Sequence, residues 1–213
     1  LSQKLTEQCA VFLQSEGFNA YPFHAGLDTQ VKIDTQDKFM TEDNVVVCAT
    51  IAFGMGIDKA DVRYVAHISL PSSMEAFYQE IGRAGRDGLD ADTLLIFGLQ
   101  DLFQRKRFID MTDAHDSFKI KEHKRLDALI AYCDSATCRR QTLLSYFKEI
   151  CEPCGKCDNC INPPQMIDGT EYAQMVLSAI YRTGQYFGSG HIIDVLRGVD
   201  SDKVKTKGPD KIK

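Results

Sequence analysis

Gln79-Glu80-Ile81-Gly82-Arg83-Ala84-Gly85-Arg86-Asp87-Gly88 is the stretch on which the reading of this sequence turns. Upstream, Ser72 and Glu75 have the Ser-x-x-Glu spacing of a capping box, which predicts a helix leading into it. On that helix Gln79, Arg83 and Arg86 fall at i, i+4 and i+7 and project from one face. Gly82 and Gly85 lie beside this stripe. A glycine inside a helix costs about 1 kcal/mol relative to alanine, so two of them need a reason. Close approach of a phosphate chain or a neighbouring domain supplies one. Arginine suits such a place, because its planar fork grips phosphate oxygens bidentately and keeps its charge. The plainer alternative is a surface helix end with two solvated arginines, Asp87 as counter-ion and Gly88 as the stop.

Around this stretch, short apolar runs alternate with helical patterns. Leu5, Cys9, Phe12 and Leu13 predict one apolar face of an opening helix that stops at Gly17. Asn19 to His24 reads as a short strand, followed by a helix through about Met40 with Asp28 as its cap. Val45-Val46-Val47-Cys48-Ala49-Thr50 has the continuous apolar form of a buried parallel strand. It empties into the glycine-bearing loop Ile51 to Asp58. Val62 to Leu70 predicts another strand, ended by Pro71, and Thr93 to Phe97 a further one. His67, inside an apolar strand, reads as a satisfied core residue. The alternation predicts a parallel sheet covered on both faces, with ligands at the carboxyl ends of its strands.

Length and composition narrow the classes. The chain has 213 residues, 44% of them hydrophobic, enough for a sizeable core. No apolar run approaches the roughly 20 residues of a membrane span, and no secretion leader is evident. A net charge of −5 excludes coating nucleic acid with the whole surface, so any DNA contact must use local basic patches.

Of eight cysteines, six lie between positions 133 and 160. Cys9 and Cys48 read as small core residues. The clustered six favour a metal over disulfides. Cys154, Cys157 and Cys160 supply three soft ligands, with Gly155 for the turn, and the fourth is Cys151 or Cys138. An iron–sulfur pattern from Cys151 fits less well, because the last interval is one residue short and the proline is displaced. The helical stripe Leu126, Leu129, Ile130 and Cys133, with Leu143, Leu144 and Phe147, surrounds this cluster. Beyond Pro163-Pro164, Tyr172 to Tyr181 and His191 to Leu196 predict two more helices, followed by a lysine-rich terminal run.

The 79–88 segment resembles motif VI of the superfamily 2 helicases, most closely its RecQ version. Thr50 to Asp58 resembles helicase motif V, and His24-Ala25-Gly26-Leu27 resembles a RecQ segment near the DNA track. Cys138-Arg139-Arg140 through Cys160 resembles the RecQ zinc-binding subdomain. That resemblance implies an α/β fold with a RecA-like parallel sheet over residues 1–110, its first strand missing. A helical zinc subdomain (111–165) and a truncated winged helix (166–213) follow. It implies ATP hydrolysis coupled to 3′-to-5′ DNA strand separation in recombination and repair. The implied catalytic residues are Arg83 and Arg86. Gly56, Asp58 and Gln79 join them at the nucleotide, His24, Gly26 and Thr50 face DNA, and Cys138, Cys154, Cys157 and Cys160 hold a structural Zn2+. ATP and Mg2+ belong to the complete enzyme. No Gly-x-x-x-x-Gly-Lys-[Ser/Thr] loop or Asp-Glu-x-His segment is present, so a first motor domain is an implied partner. The other expected partner is DNA, single-stranded or at duplex junctions, with no membrane, a monomeric state and an intracellular location (nucleoid, cytoplasm or nucleus). The competing reading is a zinc-stabilised DNA-binding module without a catalytic role.

Overall fold

The computed structural model describes residues 2–51, 53 and 57–199. By internal contacts the chain forms two compact units, 1–162 and 163–213.

The first unit opens with α1 (Gln3–Ser15), whose N-cap Ser2 accepts the Leu5 amide through its hydroxyl. Gly17 ends it with φ +88°, a conformation glycine adopts without penalty. The buried face of α1 is Thr6 and Ala10, whereas Leu5 and Phe12 are exposed. This corrects the predicted apolar face. Ala10 and, on the neighbouring strand, Ala20 are both almost wholly buried, so small residues define the packed stripe. Strand β1 (Asn19–Phe23) leads to α2 (Thr29–Thr41), which Asp28 caps by accepting the Gln30 amide at 2.8 Å. β2 (Val45–Ala49) then pairs with β1 in parallel, from Asn19↔Val45 to Phe23↔Ala49.

β3 (Tyr64–His67), α3 (Met74–Ile81) and β4 (Asp92–Leu95) repeat the pattern, with β3 and β4 parallel from Tyr64↔Asp92 to His67↔Leu95. Both strands are shorter than the apolar runs suggest. The expected single sheet is two two-stranded parallel pieces, β1–β2 and β3–β4. Among the described residues no ladder joins β2 to β3. β2 is consequently half-buried along its whole length rather than enclosed.

Helices complete the unit: α4 (Leu99–Met111), α5 (Asp116–Asp134), α6 (Arg139–Tyr146) and the short α7 (Asp158–Ile161). The core gathers Leu70 and α3 residues Met74 and Phe77 against Leu129 of α5 and Leu143 of α6. Leu126 and Leu129 are fully buried and Ile130 and Cys133 half-buried, as the α5 stripe predicts. In the second unit α8 (Thr170–Arg182) packs with α9 (Ser189–Leu196), burying Ala179, Thr183 and Ile192. The terminal lysine run lies outside the described residues. No described helix is long and apolar enough to cross a membrane.

Candidate functional site

The arginine turn begins where α3 ends. Ser73, not Ser72, is the N-cap, accepting the Ala76 amide at 3.2 Å. The frame therefore shifts by one and puts Glu75 at the second helical position, so the expected capping box does not form. Glu75 is still well placed near the positive end of the helix dipole. Burial pushes its carboxyl pKa up, but hydrogen bonds from Ser73 and Tyr146 and the Arg125 charge outweigh that and hold it low.

The helix stops at Ile81, with Gly82 as C-cap. Gln79 is therefore helical and exposed, while Arg83 and Arg86 sit in a turn rather than on a helical stripe. The physical reason is Gly85, which takes φ +64°; a Cβ there would stand 2.8 Å from the Leu89 carbonyl oxygen. Gly85 thus serves the turn itself. The turn hangs on the chain ahead of β3: the Gly85 amide donates to the Val62 carbonyl (2.9 Å), and the Asp87 amide to that of Ala60 (3.2 Å). Arg63 pairs with Asp87, and this hydrogen bond holds the Asp87 carboxyl below the usual range.

Arg86 Nη1 lies 2.5 Å from Asp58 Oδ1, and its Nε donates to the Gly82 carbonyl at 3.4 Å. The structure therefore joins two residues that the sequence places in separate motifs. Arg83 is half-buried on the same turn. Gly56 lies outside the described residues. Thr50 follows β2, its amide donating to the Phe23 carbonyl at 3.1 Å. His24, at the neighbouring strand end, is only 3% exposed. Its Nε2 lies 3.2 Å from Glu7 Oε1 of α1, and its Nδ1 is buried without a partner. In this conformation His24 does not present its ring to a ligand, unlike the exposed Gly26 two residues on.

The second constellation is sulfur. The Sγ atoms of Cys138, Cys154, Cys157 and Cys160 all lie within 4.8 Å of one another. The Cys138–Cys157 separation is 4.0 Å. A tetrahedral zinc with Zn–S of about 2.3 Å has sulfur–sulfur edges of about 3.8 Å, so this donor set fits it. Cys138 is the N-cap of α6 and Cys157 that of α7, so both sulfurs sit where helix dipoles favour thiolate. Backbone amides add to this: Cys154 N–H points at Cys138 Sγ (3.2 Å) and Arg139 N–H at Cys157 Sγ (3.4 Å). Burial raises the Cys138 pKa, but the Cys154 and Gln141 amides bring it down to about 6. Cys133 and Cys151 stand outside the cluster.

Three neighbours that the sequence reading left without a role hold the loop in place. Arg139 contacts Asp158 through Nε and Nη2, at 3.0 and 2.9 Å. Its Nη1 donates to the carbonyls of Tyr132 and Cys133, both 2.9 Å, at the open end of α5. Asn159 Nδ2 donates to the carbonyls of Ser135 and Thr137. Their signal was available: an arginine directly after one ligand, and an Asp-Asn pair between two others. The sulfur loop also reaches the arginine turn, since Lys156 Nζ lies 2.9 Å from Asp90 Oδ1. His67 and Glu80 form a further pair that no sequence spacing announced.

Three family models cover most of the sequence. The helicase conserved C-terminal domain matches residues 2–88, RecQ zinc-binding matches 99–161 and the RQC domain matches 163–213. The chain is 43% identical over 204 residues to the ATP-dependent DNA helicase RecQ of Haemophilus influenzae, covering 95% of this chain and 33% of that protein. It is 39% identical to the protein of the same name from Bacillus subtilis, over 87% of this chain and 32% of that one. Against the ATP-dependent helicase SGS1 of Saccharomyces cerevisiae identity is 37%, over 84% of this chain and 13% of the relative. The chain spans about a third of the length of the bacterial relatives it matches.

Proposed function

The chain belongs to the RecQ family of DNA helicases, and on that premise we propose that it forms the second motor domain, zinc module and start of the winged helix of an ATP-dependent helicase. In this reading residues 1–110, 111–165 and 166–213 are the three parts, and the reaction is 3′-to-5′ DNA strand separation driven by ATP hydrolysis. The observation that carries it is the Arg86–Asp58 pair: a motif VI arginine seated on the motif V aspartate, both exposed.

Arg83 and Arg86 would meet the triphosphate held by a first motor domain, with Gln79 alongside and Asp58 keeping Arg86 aligned until then. An arginine that supplies charge to a transferring phosphoryl group is worth roughly a thousandfold or more in rate. Mg2+ and ATP would be bound chiefly by the other domain, since these 213 residues contain no phosphate-cradling lysine loop. Thr50 and Gly26 are the proposed DNA-facing positions, with His24 buried two residues before Gly26. Zn2+ on the four cysteines would cross-link the start of α6 to the 154–160 loop and take no part in the reaction. The substrates are single-stranded DNA and duplex junctions.

The test is reconstitution. The chain alone should release no phosphate from ATP and unwind no DNA. Adding a separately produced first motor domain in trans should give DNA-stimulated phosphate release, abolished by Arg86→Ala. If the two halves bind each other and DNA yet no release follows, the chain is a zinc-stabilised DNA-binding module instead.

A further inference from the structure

We infer that His67 and Glu80 form a positioning latch that sets the arginine turn, an inference resting on the reading of Arg83 and Arg86 as nucleotide-facing. His67 Nε2 lies 2.6 Å from Glu80 Oε2, and the side chains are only 13% and 29% exposed. An ionised carboxylate only accepts, so Nε2 carries the proton. His67 Nδ1 is buried without a partner. Of the two ring nitrogens only Nε2 therefore engages a hydrogen-bond partner, and that partner is Glu80.

The same imidazole also meets Phe77 edge to face, with ring centroids 5.3 Å apart. Phe77 and Glu80 are three residues apart on α3 and therefore share a face. One ring from β3 thus touches two successive points of that face and fixes the rotation of α3 about its own axis. β3 is in turn fixed by β4, just past whose end the Ile96 amide donates to the His67 carbonyl at 2.8 Å.

Glu80 passes this constraint on. Its backbone carbonyl accepts the Arg83 amide at 3.4 Å, while the Gly82 amide donates to the Tyr78 carbonyl one turn back at 2.9 Å. The residue whose carboxylate is pinned by His67 is therefore the one from which Arg83 hangs. An apolar pair would fill this half-buried space without desolvating a carboxylate. What the polar pair adds is direction, because a hydrogen bond of this kind specifies angle as well as distance. Neither residue reaches substrate; both act through Arg83 and Arg86.

In the complete two-motor enzyme, His67→Ala, Glu80→Ala and Glu80→Gln are compared with Leu143→Ala as a folding control, measuring kcat, KM for ATP and Tm. His67→Ala and Glu80→Ala should lower kcat about tenfold or more, since small misplacements of a catalytic group are expensive. KM for ATP should stay within about twofold of the parent value, because the phosphate loop is elsewhere. Glu80→Gln, whose amide oxygen still accepts from Nε2–H, should recover most of kcat. Leu143→Ala should lower Tm without lowering kcat. Losses of kcat that track Tm across all four variants would overturn the latch, as would near-parental turnover in His67→Ala. Arg86→Ala separates the two ideas. If it abolishes turnover while His67→Ala does not, the latch fails alone. If turnover survives Arg86→Ala, the nucleotide-facing reading fails, and amide resonances of the chain itself decide the latch. Glu80→Ala must then displace the Gly82 and Arg83 signals, and unmoved signals would refute it.

Discussion

Arg86 and Asp58 meet at 2.5 Å although 28 residues separate them, and the Asp58 side chain stays 85% exposed. Exposed ion pairs of this kind are worth at most about 1 kcal/mol. The carboxylate can therefore orient the guanidinium without binding it so tightly that a phosphate could not displace it. In the complete enzyme Arg86→Ala should abolish turnover while ATP binding survives better, because the charge it answers develops in the transition state. Arg86→Lys should fail too, since a point charge does not reproduce the fork. Steady-state kinetics beside equilibrium nucleotide binding checks this. Weakened ATP binding with intact maximal turnover would make Arg86 a ground-state anchor.

One zinc ion per chain is expected by metal analysis. Cys138→Ser should lose it and destabilise residues from about 120 to 165, because a structural zinc site contributes directly to folding. Cys151→Ser should leave zinc content unchanged. Cys151 lies outside the sulfur cluster, and its carbonyl, which accepts from Gln141, does not depend on the thiol. The reverse pair of results would move all four ligands into the 151–160 loop. Iron with stoichiometric sulfide in an anaerobic preparation would replace zinc with a cluster.

Arg139→Ala should lower stability by about 1–3 kcal/mol, since it leaves the last carbonyls of α5 and the Asp158 carboxylate without their charged donor. Arg139→Lys should recover less than half, because one ammonium cannot face both groups at once. Denaturant titration of the zinc-loaded chain reads both. The pH dependence has a definite sign. Arg139 holds the Asp158 carboxyl below its usual pKa. The pairing is therefore fully present above about pH 4, the ordinary carboxylate value, and is lost only as pH falls through the depressed one.

Gly85→Ala should damage function more than Gly88→Ala. Both glycines have positive φ, but a Cβ at 85 meets the Leu89 carbonyl at 2.8 Å whereas one at 88 meets nothing within 4 Å. The conformational penalty of about 1–2 kcal/mol is common to both. Only at 85 must the backbone move as well, and that movement carries Arg83 and Arg86 with it. Turnover of the two variants in the complete enzyme, compared at equal Tm loss, separates strain from displacement.

Much of this was legible from residue patterns. Asp28 caps α2 because a short acceptor before a helical run has one use there, and the Val45–Ala49 run marks a parallel strand because nothing polar interrupts it. The four sulfurs converge as soft ligands at tight spacing do. What stayed hidden depends on neighbours distant in sequence. The cap fell on Ser73 rather than Ser72, and two adjacent serines offer the same oxygen. Helical periodicity carried Arg83 and Arg86 onto a stripe that ends at Ile81, because spacing alone does not show that Gly85 turns left-handed. The buried face of α1 follows Ala10 rather than Phe12, a consequence of close packing that an apolar count ranks the wrong way round. His67 resembled a core histidine because its partner lies 13 residues downstream on another element.

The separation of β1–β2 from β3–β4 bears on how the chain behaves in a tube. Each pair presents strand edges that ladder with no other described strand, and Tyr64 and Leu94 add exposed apolar side chains beside them. Such edges are templates for pairing with a second molecule. A net charge of −5 opposes such pairing by mutual repulsion, which weakens as salt shortens the screening length. Concentrated stocks should therefore keep best at low ionic strength. Added salt should drive clouding that begins with the folded molecule rather than with its denaturation.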